Sequence, residues 1–193
     1  MAQKTREQLI EVGLKQIHAA GYGATGVNEI LALADVPKGS FYHHFSSKEA
    51  FAAAVLQRYG EGETHRWETM LGDKNHGPLQ RLRLYFEDLI ATYGQAGPIC
   101  GCLMGNLTLE TADHSDRLQA TLKSGFRDWE DAVAEALREA VDVGELDPSV
   151  KPRELASFIV NNWEGALLRS KAERSDRALE LFLDFTFKVL LKG

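Results

Sequence analysis

A chain of 193 residues, 44% hydrophobic and 26% charged, has the size and composition of an ordinary globular protein with one large domain or two small ones. It lacks an apolar run near the roughly 18 residues of a membrane span and the apolar core of a secretion signal. Its two cysteines cannot build a disulfide framework, so a cytoplasmic location is expected. The net charge of −6 is uneven: residues 1–60 carry six Lys/Arg against five Asp/Glu, so the excess acid lies in the remainder, a distribution compatible with an N-terminal nucleic-acid contact on an acidic body.

In chain order, Thr5-x-x-Gln8 reads as a capping box for a helix over 6–20, with Ile10, Leu14 and Ile17 at helical spacing and Leu9 and Val12 beside them. Gly21-Tyr22-Gly23 ends it as a glycine C-cap. A second helix over about 27–34 takes Gly26 as N-cap and buries Val27, Ile30 and Leu31 or Ala34. Asp35-Val36-Pro37 is a tight turn, because proline disfavours helical geometry at the residue before it. A third helix over 38–44 anchors its inner face with Phe41 and Phe45. Ser46-x-x-Glu49 is a second capping box, and Phe51, Val55 and Leu56 carry the fourth helix inward toward about residue 70. Two short helices joined by a tight turn, braced before and after, make a helix-turn-helix over 27–44.

No strand alternation follows, so the chain is expected to be all-α. After a break at 73–78, helices are expected over about 78–94, 99–112, 115–143, 152–171 and 175–191, with Ser115 and Ser175 as N-caps and Pro152 in a first turn. The expected domains are a helix-turn-helix head over 1–50 and a C-terminal helical bundle over 51–193. Apolar stripes on the helix over 115–143 and on the last two helices exceed what a small bundle hides, which points to a homodimer. Phe86, Tyr93, Trp129, Phe158 and Trp163 are among the candidate walls of a pocket between helices, with Asn106, Asn161, Asn162, Glu164 and Arg169 as polar groups to orient a ligand. Trp163 fits the dimer face equally well.

On a recognition helix, N-terminal residues meet base edges while neighbours clamp phosphates. Lys38 stands at the helix start, Gly39 lets backbone approach closely, and Ser40, Tyr42 and His43 point outward if Phe41 and Phe45 point in. Lys48 and Thr25, at the starts of the fourth and second helices, suit phosphate clamping. Double-stranded DNA is therefore the expected partner. Cys100 and Cys102 point about 200° apart on a helix, poorly placed for a disulfide or a shared metal. Cys102 shares a face with Asn106 and Leu109, and Cys100 falls in the first turn, where helix amides favour a thiolate. Buried hydrophobic cysteines are the competing reading. The six His residues lack metal-ligand spacing, and neither a phosphate-cradling glycine loop nor a nucleophile elbow is present, so no metal, cofactor or enzymatic activity is expected.

Gly21-Tyr22-x-x-Thr25 followed by Val36-Pro37-Lys38-Gly39-Ser40-Phe41-Tyr42-His43-His44-Phe45-x-x-Lys48-Glu49 resembles the DNA-binding head of the tetracycline-repressor (TetR) family. It departs from many members at Gly26 and Pro37, where they carry hydroxyl residues. The resemblance implies an all-helical homodimer whose C-terminal domain binds a small-molecule effector and releases a palindromic operator. Gly101-Cys102-Leu103-x-x-Asn106-Leu107 with Glu164-Gly165-Ala166-x-x-x-x-Lys171-x-x-x-Ser175 resembles a subgroup of repressors that sense reactive electrophiles. That likeness implies a sensor at Cys102 with Lys171 nearby, and Asn106 and Trp163 join them as effector-site candidates. A thiol-dependent enzyme and an effector-independent DNA-binding adaptor are the alternatives. The first needs a His base beside Cys102, and no His has an obvious claim.

Overall fold

The computed structural model describes residues 2–95 and 100–192, and every regular element among them is helical. The order is α1 (Ala2–Ala20), α2 (Val27–Leu33), α3 (Lys38–His44), α4 (Lys48–Arg66), α5 (Pro78–Gln95), α6 (Leu103–Thr111), α7 (Asp116–Asp142), α8 (Pro152–Glu173) and α9 (Arg177–Phe185). A π-helical turn, Trp67–Leu71, extends α4, and another, Thr186–Leu190, extends α9. Among the described residues no helix is long and apolar enough to cross a membrane. The chain forms two compact units: residues 1–62 with 102–125, and residues 63–101 with 126–193. Residues 102–125 thus cluster with the N-terminal helices, a grouping that chain order does not announce.

The first unit closes around aromatic rings. Phe41 and Phe45, one turn apart, lie 5.4 Å apart by centroid, and Phe51 of α4 sits 5.3 and 4.9 Å from them. All three are buried, as are Leu9, Ile17, Ile30 and Val55 of the same unit. A seven-residue helix is unstable alone; α3 persists because these rings bury it. Fully burying one such ring contributes about 1.5–3 kcal/mol. Arg58 of α4 adds ion pairs to Glu7 and Glu11 of α1 and to Glu61.

The second unit buries Tyr85, Phe86 and Leu89 of α5, Trp129, Val133 and Leu137 of α7, Ile159, Trp163 and Leu167 of α8, and Phe182 of α9. Arg81 is also buried; its guanidinium donates to the Leu71 carbonyl and to Glu139, which also accepts from Lys74 at 2.6 Å. The buried charge is thereby paired, and a carbonyl of the π-helical turn gains a donor.

Several expectations are corrected. Helix α1 starts at Ala2, so Thr5 lies inside it rather than capping it; nothing between Ala2 and Lys4 breaks a helix, and Gln8 instead donates to the Ala34 carbonyl at 2.7 Å. The cap of α4 is Ser47, whose Oγ accepts from Ala50 N at 3.0 Å, one residue beyond Ser46. Ser115 does cap α7, accepting from Leu118 N at 3.1 Å. Arg174, in the left-handed conformation, ends α8 and delays α9 to Arg177; its N-cap is Asp176, while Ser175 accepts from Arg177 N. The helix expected from residue 99, itself outside the described residues, starts at Leu103. Gly101 at φ +81° cannot continue a right-handed helix, so Cys100 precedes it and Cys102 becomes the N-cap. Finally, the apolar stripe of α7 at Leu118, Leu122, Trp129, Val133 and Leu137 is buried within the chain and leaves no dimer face there.

Candidate nucleic-acid interface and effector region

The turn between α2 and α3 is a Schellman closure. Val36 N donates to Leu31 O at 3.0 Å and Asp35 N to Ala32 O at 3.3 Å, with Asp35 at φ +50° in the left-handed position. Aspartate tolerates that conformation better than most residues. Pro37 then stands as N-cap of α3 at φ −60°, ψ 143°, and Ser40 N donates to its carbonyl. With Phe41 and Phe45 buried, the opposite edge of α3 faces solvent: Lys38, Gly39 and His43 are exposed, Ser40 is half-buried, and Tyr42 is 64% exposed. A Cβ added at Gly39 would meet nothing within 4 Å, so its backbone is open to approach. The Tyr42 ring leans edge-on against Phe41 at 5.4 Å, which orients its hydroxyl from below. Lys38, Gly39, Ser40, Tyr42 and His43 therefore form one polar edge.

Thr25 and Lys48 are placed differently. Thr25 is buried, and its hydroxyl and its amide both donate to the Gly21 carbonyl, at 2.7 and 3.3 Å. Lys48 Nζ donates to the Tyr22 carbonyl at 2.6 Å and lies 4.4 Å from the Tyr22 ring centroid. Burial pushes its ammonium below the ordinary lysine value, with Glu110 opposing that shift. Thr25 is thus interior to the turn over 21–25, and half-buried Lys48 reaches the same turn from the start of α4.

A residue that sequence reasoning missed completes that turn. Glu110, near the end of α6, accepts from Tyr22 N at 3.1 Å through one carboxylate oxygen and from Gly23 N at 2.7 Å through the other. Gly21 sits at φ +92°, which favours glycine, and a Cβ there would come within 2.7 Å of Glu110 Oε1, so a side chain would also displace the carboxylate. Ser115 also donates to Glu49 of α4. Neither Glu110 nor Ser115 carries a sequence signal for these contacts, since their partners lie 88, 87 and 66 residues away.

At the other end of α6, Cys102 is 3% exposed, and the Tyr59 hydroxyl donates to its sulfur at 3.9 Å. The Tyr59 ring meets His18 edge-on at 6.0 Å. Asn106 is half-buried, while Leu109 is 77% exposed, so the face expected to join Cys102, Asn106 and Leu109 turns from interior to solvent along its length. In the second unit Lys171 is exposed, and its Nζ donates to the Cys100 carbonyl at 3.2 Å. Trp163 is fully buried, which removes it from any dimer face. Its ring stands 5.1, 5.3 and 6.5 Å from Phe86, Phe182 and Tyr93, and its Nε1 is buried without an acceptor in the protein. Asn161, Asn162 and Arg169 are exposed, with Asn162 donating to the Phe158 carbonyl and Arg169 paired with Glu173; they do not face the interior. The outer sides of α8 and α9 frame a groove of about 990 Å³, mainly apolar through Phe158, Leu181, Phe185 and Val189, with the candidates Asn162 and Arg169 also in its lining. No group of three or more candidate metal ligands occurs among the described residues.

Comparison with known proteins agrees with this layout. Residues 9–55 match the family described as bacterial regulatory proteins, tetR family, and residues 78–186 match the tetracyclin repressor-like C-terminal domain. The HTH-type transcriptional repressor DhaR of Mycobacterium sp. is 37% identical over 187 residues, covering 96% of this chain and 92% of that protein. The reduced form of Escherichia coli NemR superposes with a TM-score of 0.90 at 32% identity, covering 96% of each chain. A regulatory protein TetR from Rhodobacter sphaeroides gives 0.87 at 36% identity, covering 94% of this chain and 95% of that one.

Proposed function

The chain belongs to the tetracycline-repressor family, and from that premise we propose that it is a cytoplasmic, homodimeric transcriptional repressor, released from a palindromic operator by a small-molecule effector. The observation that carries the reading is the exposed polar edge Lys38-Gly39-Ser40-Tyr42-His43 on a helix held from below by Phe41 and Phe45. A short helix fixed by its apolar face and donor-rich on the other is what the major groove admits. In this reading residues 1–50 act as the DNA-binding head and 51–193 as the effector and dimerisation domain. Lys48 serves the phosphates, Thr25 braces the turn beside it through its bonds to the Gly21 carbonyl, and no enzymatic turnover is involved. The apolar groove of α8 and α9 is the surface for a second copy, which brings two heads to half-sites about 34–36 Å apart or a small extension of that.

The effector is a small electrophile that modifies Cys102, with Asn106 of the same helix contributing to its site. Support comes from the resemblance of the motif around Cys102, from Tyr59 bonded to the sulfur, and from a relative solved in a reduced form. In the step itself the Cys102 thiolate bonds to the β-carbon of an unsaturated carbonyl, and the neighbouring carbon takes up a proton. No oxidant is needed. The test is fluorescence anisotropy on an inverted repeat from the promoter region beside the protein's own gene, with and without N-ethylmaleimide. Expected are tight binding and its loss on modification at one thiol per subunit. Failure to bind that or any inverted repeat overturns the repressor reading. Equal release of wild type and Cys102→Ser overturns the sensor reading.

A further inference from the structure

We propose that Glu110 is a positioning residue for DNA binding: its carboxylate clamps the Gly21–Gly23 turn and thereby sets Lys48 and the approach to α2. The proposal rests on the DNA-binding reading of the head. Glu110 itself need not touch DNA.

Gly21 N still donates to the Ile17 carbonyl of α1 at 2.9 Å, but the next two amides, Tyr22 N and Gly23 N, find no backbone carbonyl among the described residues. Glu110 supplies both acceptors, one oxygen to each, at 3.1 and 2.7 Å. Bonds of this type to an ionised carboxylate are among the stronger hydrogen bonds in proteins. The same turn then holds two groups expected at the DNA surface. Tyr22 offers its carbonyl and ring to Lys48 Nζ, at 2.6 and 4.4 Å, and the Gly21 carbonyl receives both donors of Thr25, the residue before the N-cap of α2. The chain of contacts runs from Glu110 through the turn to Lys48 in one direction and to Thr25 in the other. A second tie, Ser115 to Glu49, fixes the start of α4 to the start of α7 within the same compact unit. Glu110 is solvent-exposed, so the clamp rests on these two bonds rather than on packing.

The sign of the effect separates positioning from simple charge. Removing an acidic group from the DNA-facing unit raises affinity for a polyanion if charge alone matters. Loss of positioning lowers it. Glu110→Ala is therefore expected to weaken operator binding about tenfold, with the salt slope lowered by less than about one because Lys48 is displaced rather than deleted. Glu110→Gln, which keeps one acceptor oxygen, should fall between the two. Equal or tighter operator binding by a folded, dimeric Glu110→Ala protein overturns the proposal. Amide hydrogen exchange on the unmodified full chain gives an independent decision. Tyr22 and Gly23 amides are expected to be protected, and both to lose protection in Glu110→Ala. Exchange of both at the rate of an open loop in the wild type overturns the clamp. Because that measurement needs no DNA, it decides the clamp even if no operator is bound, in which case the DNA-binding reading fails separately.

Discussion

Helices α3 and α6 belong to the same compact unit and are seven and nine residues long, yet they present their candidate groups in opposite ways. Helix α3 buries its aromatic rings and displays Tyr42, 64% exposed, beside Lys38 and His43. Helix α6 displays Leu109 and buries its candidate group, Cys102, at 3% exposure. A surface that reads a polyanion must offer donors to water when DNA is absent. A thiol that responds to a small molecule gains selectivity from being enclosed, since only a small reagent reaches it. The contrast also sets how each fails: α3 loses function through a single exposed side chain, and α6 through access or through its links at either end.

The sharpest way to break this contrast is Tyr42→Ala. Operator binding is expected to fall about a hundredfold or more while the dimer and its melting curve persist, because the ring is exposed; a still-competent variant removes Tyr42 from the interface. Its neighbour gives the opposite pattern. Phe41→Ala is expected to cost about 3–5 kcal/mol of stability, seen in thermal unfolding, because it empties the centre of the Phe41, Phe45 and Phe51 cluster. A stability change below about 1 kcal/mol there contradicts a buried aromatic anchor. On α6, Cys102→Ser should retain repression but raise the dose of electrophile needed for release about tenfold or more.

Smaller effects test the turn and the second unit. Lys48→Ala is expected to weaken binding on all DNA sequences and lower the salt slope by about one. A lower affinity at unchanged slope assigns Lys48 to holding Tyr22 instead of a phosphate. Glu63 gives the smallest signal. Burial holds its carboxyl above the usual carboxylate range, with Arg66 opposing and Asp88 adding to the shift. A carboxyl raised in the folded state favours folding below its unfolded value, and that contribution is lost as pH rises through the folded one. Glu63→Gln should therefore raise Tm at neutral pH and give no gain near pH 4. A neutral-pH Tm that falls shows that the pairing with Arg66 outweighs burial.

What the sequence determined by itself is local. The α2–turn–α3 arrangement is legible because its signals lie within a few residues: Phe41 and Phe45 one turn apart, Pro37 after the turn, and Gly21 after the first helix. The all-helical class follows from the same periodicities. Where local rules compete, the outcome shifted by a residue or a turn: Ser47 rather than Ser46 caps α4, because two adjacent serines offer the same oxygen, and Gly101 delays α6 to Leu103. What only the tertiary structure decided is long-range. It spent the apolar stripe of α7 on the chain's own interior, enclosed Cys102, and brought Glu110 to two amides in a turn nearly ninety residues before it. A carboxylate on a helix surface looks the same in sequence whether it faces water or an orphaned amide. Its partner is chosen when the helices pack, and no spacing along the chain records that choice.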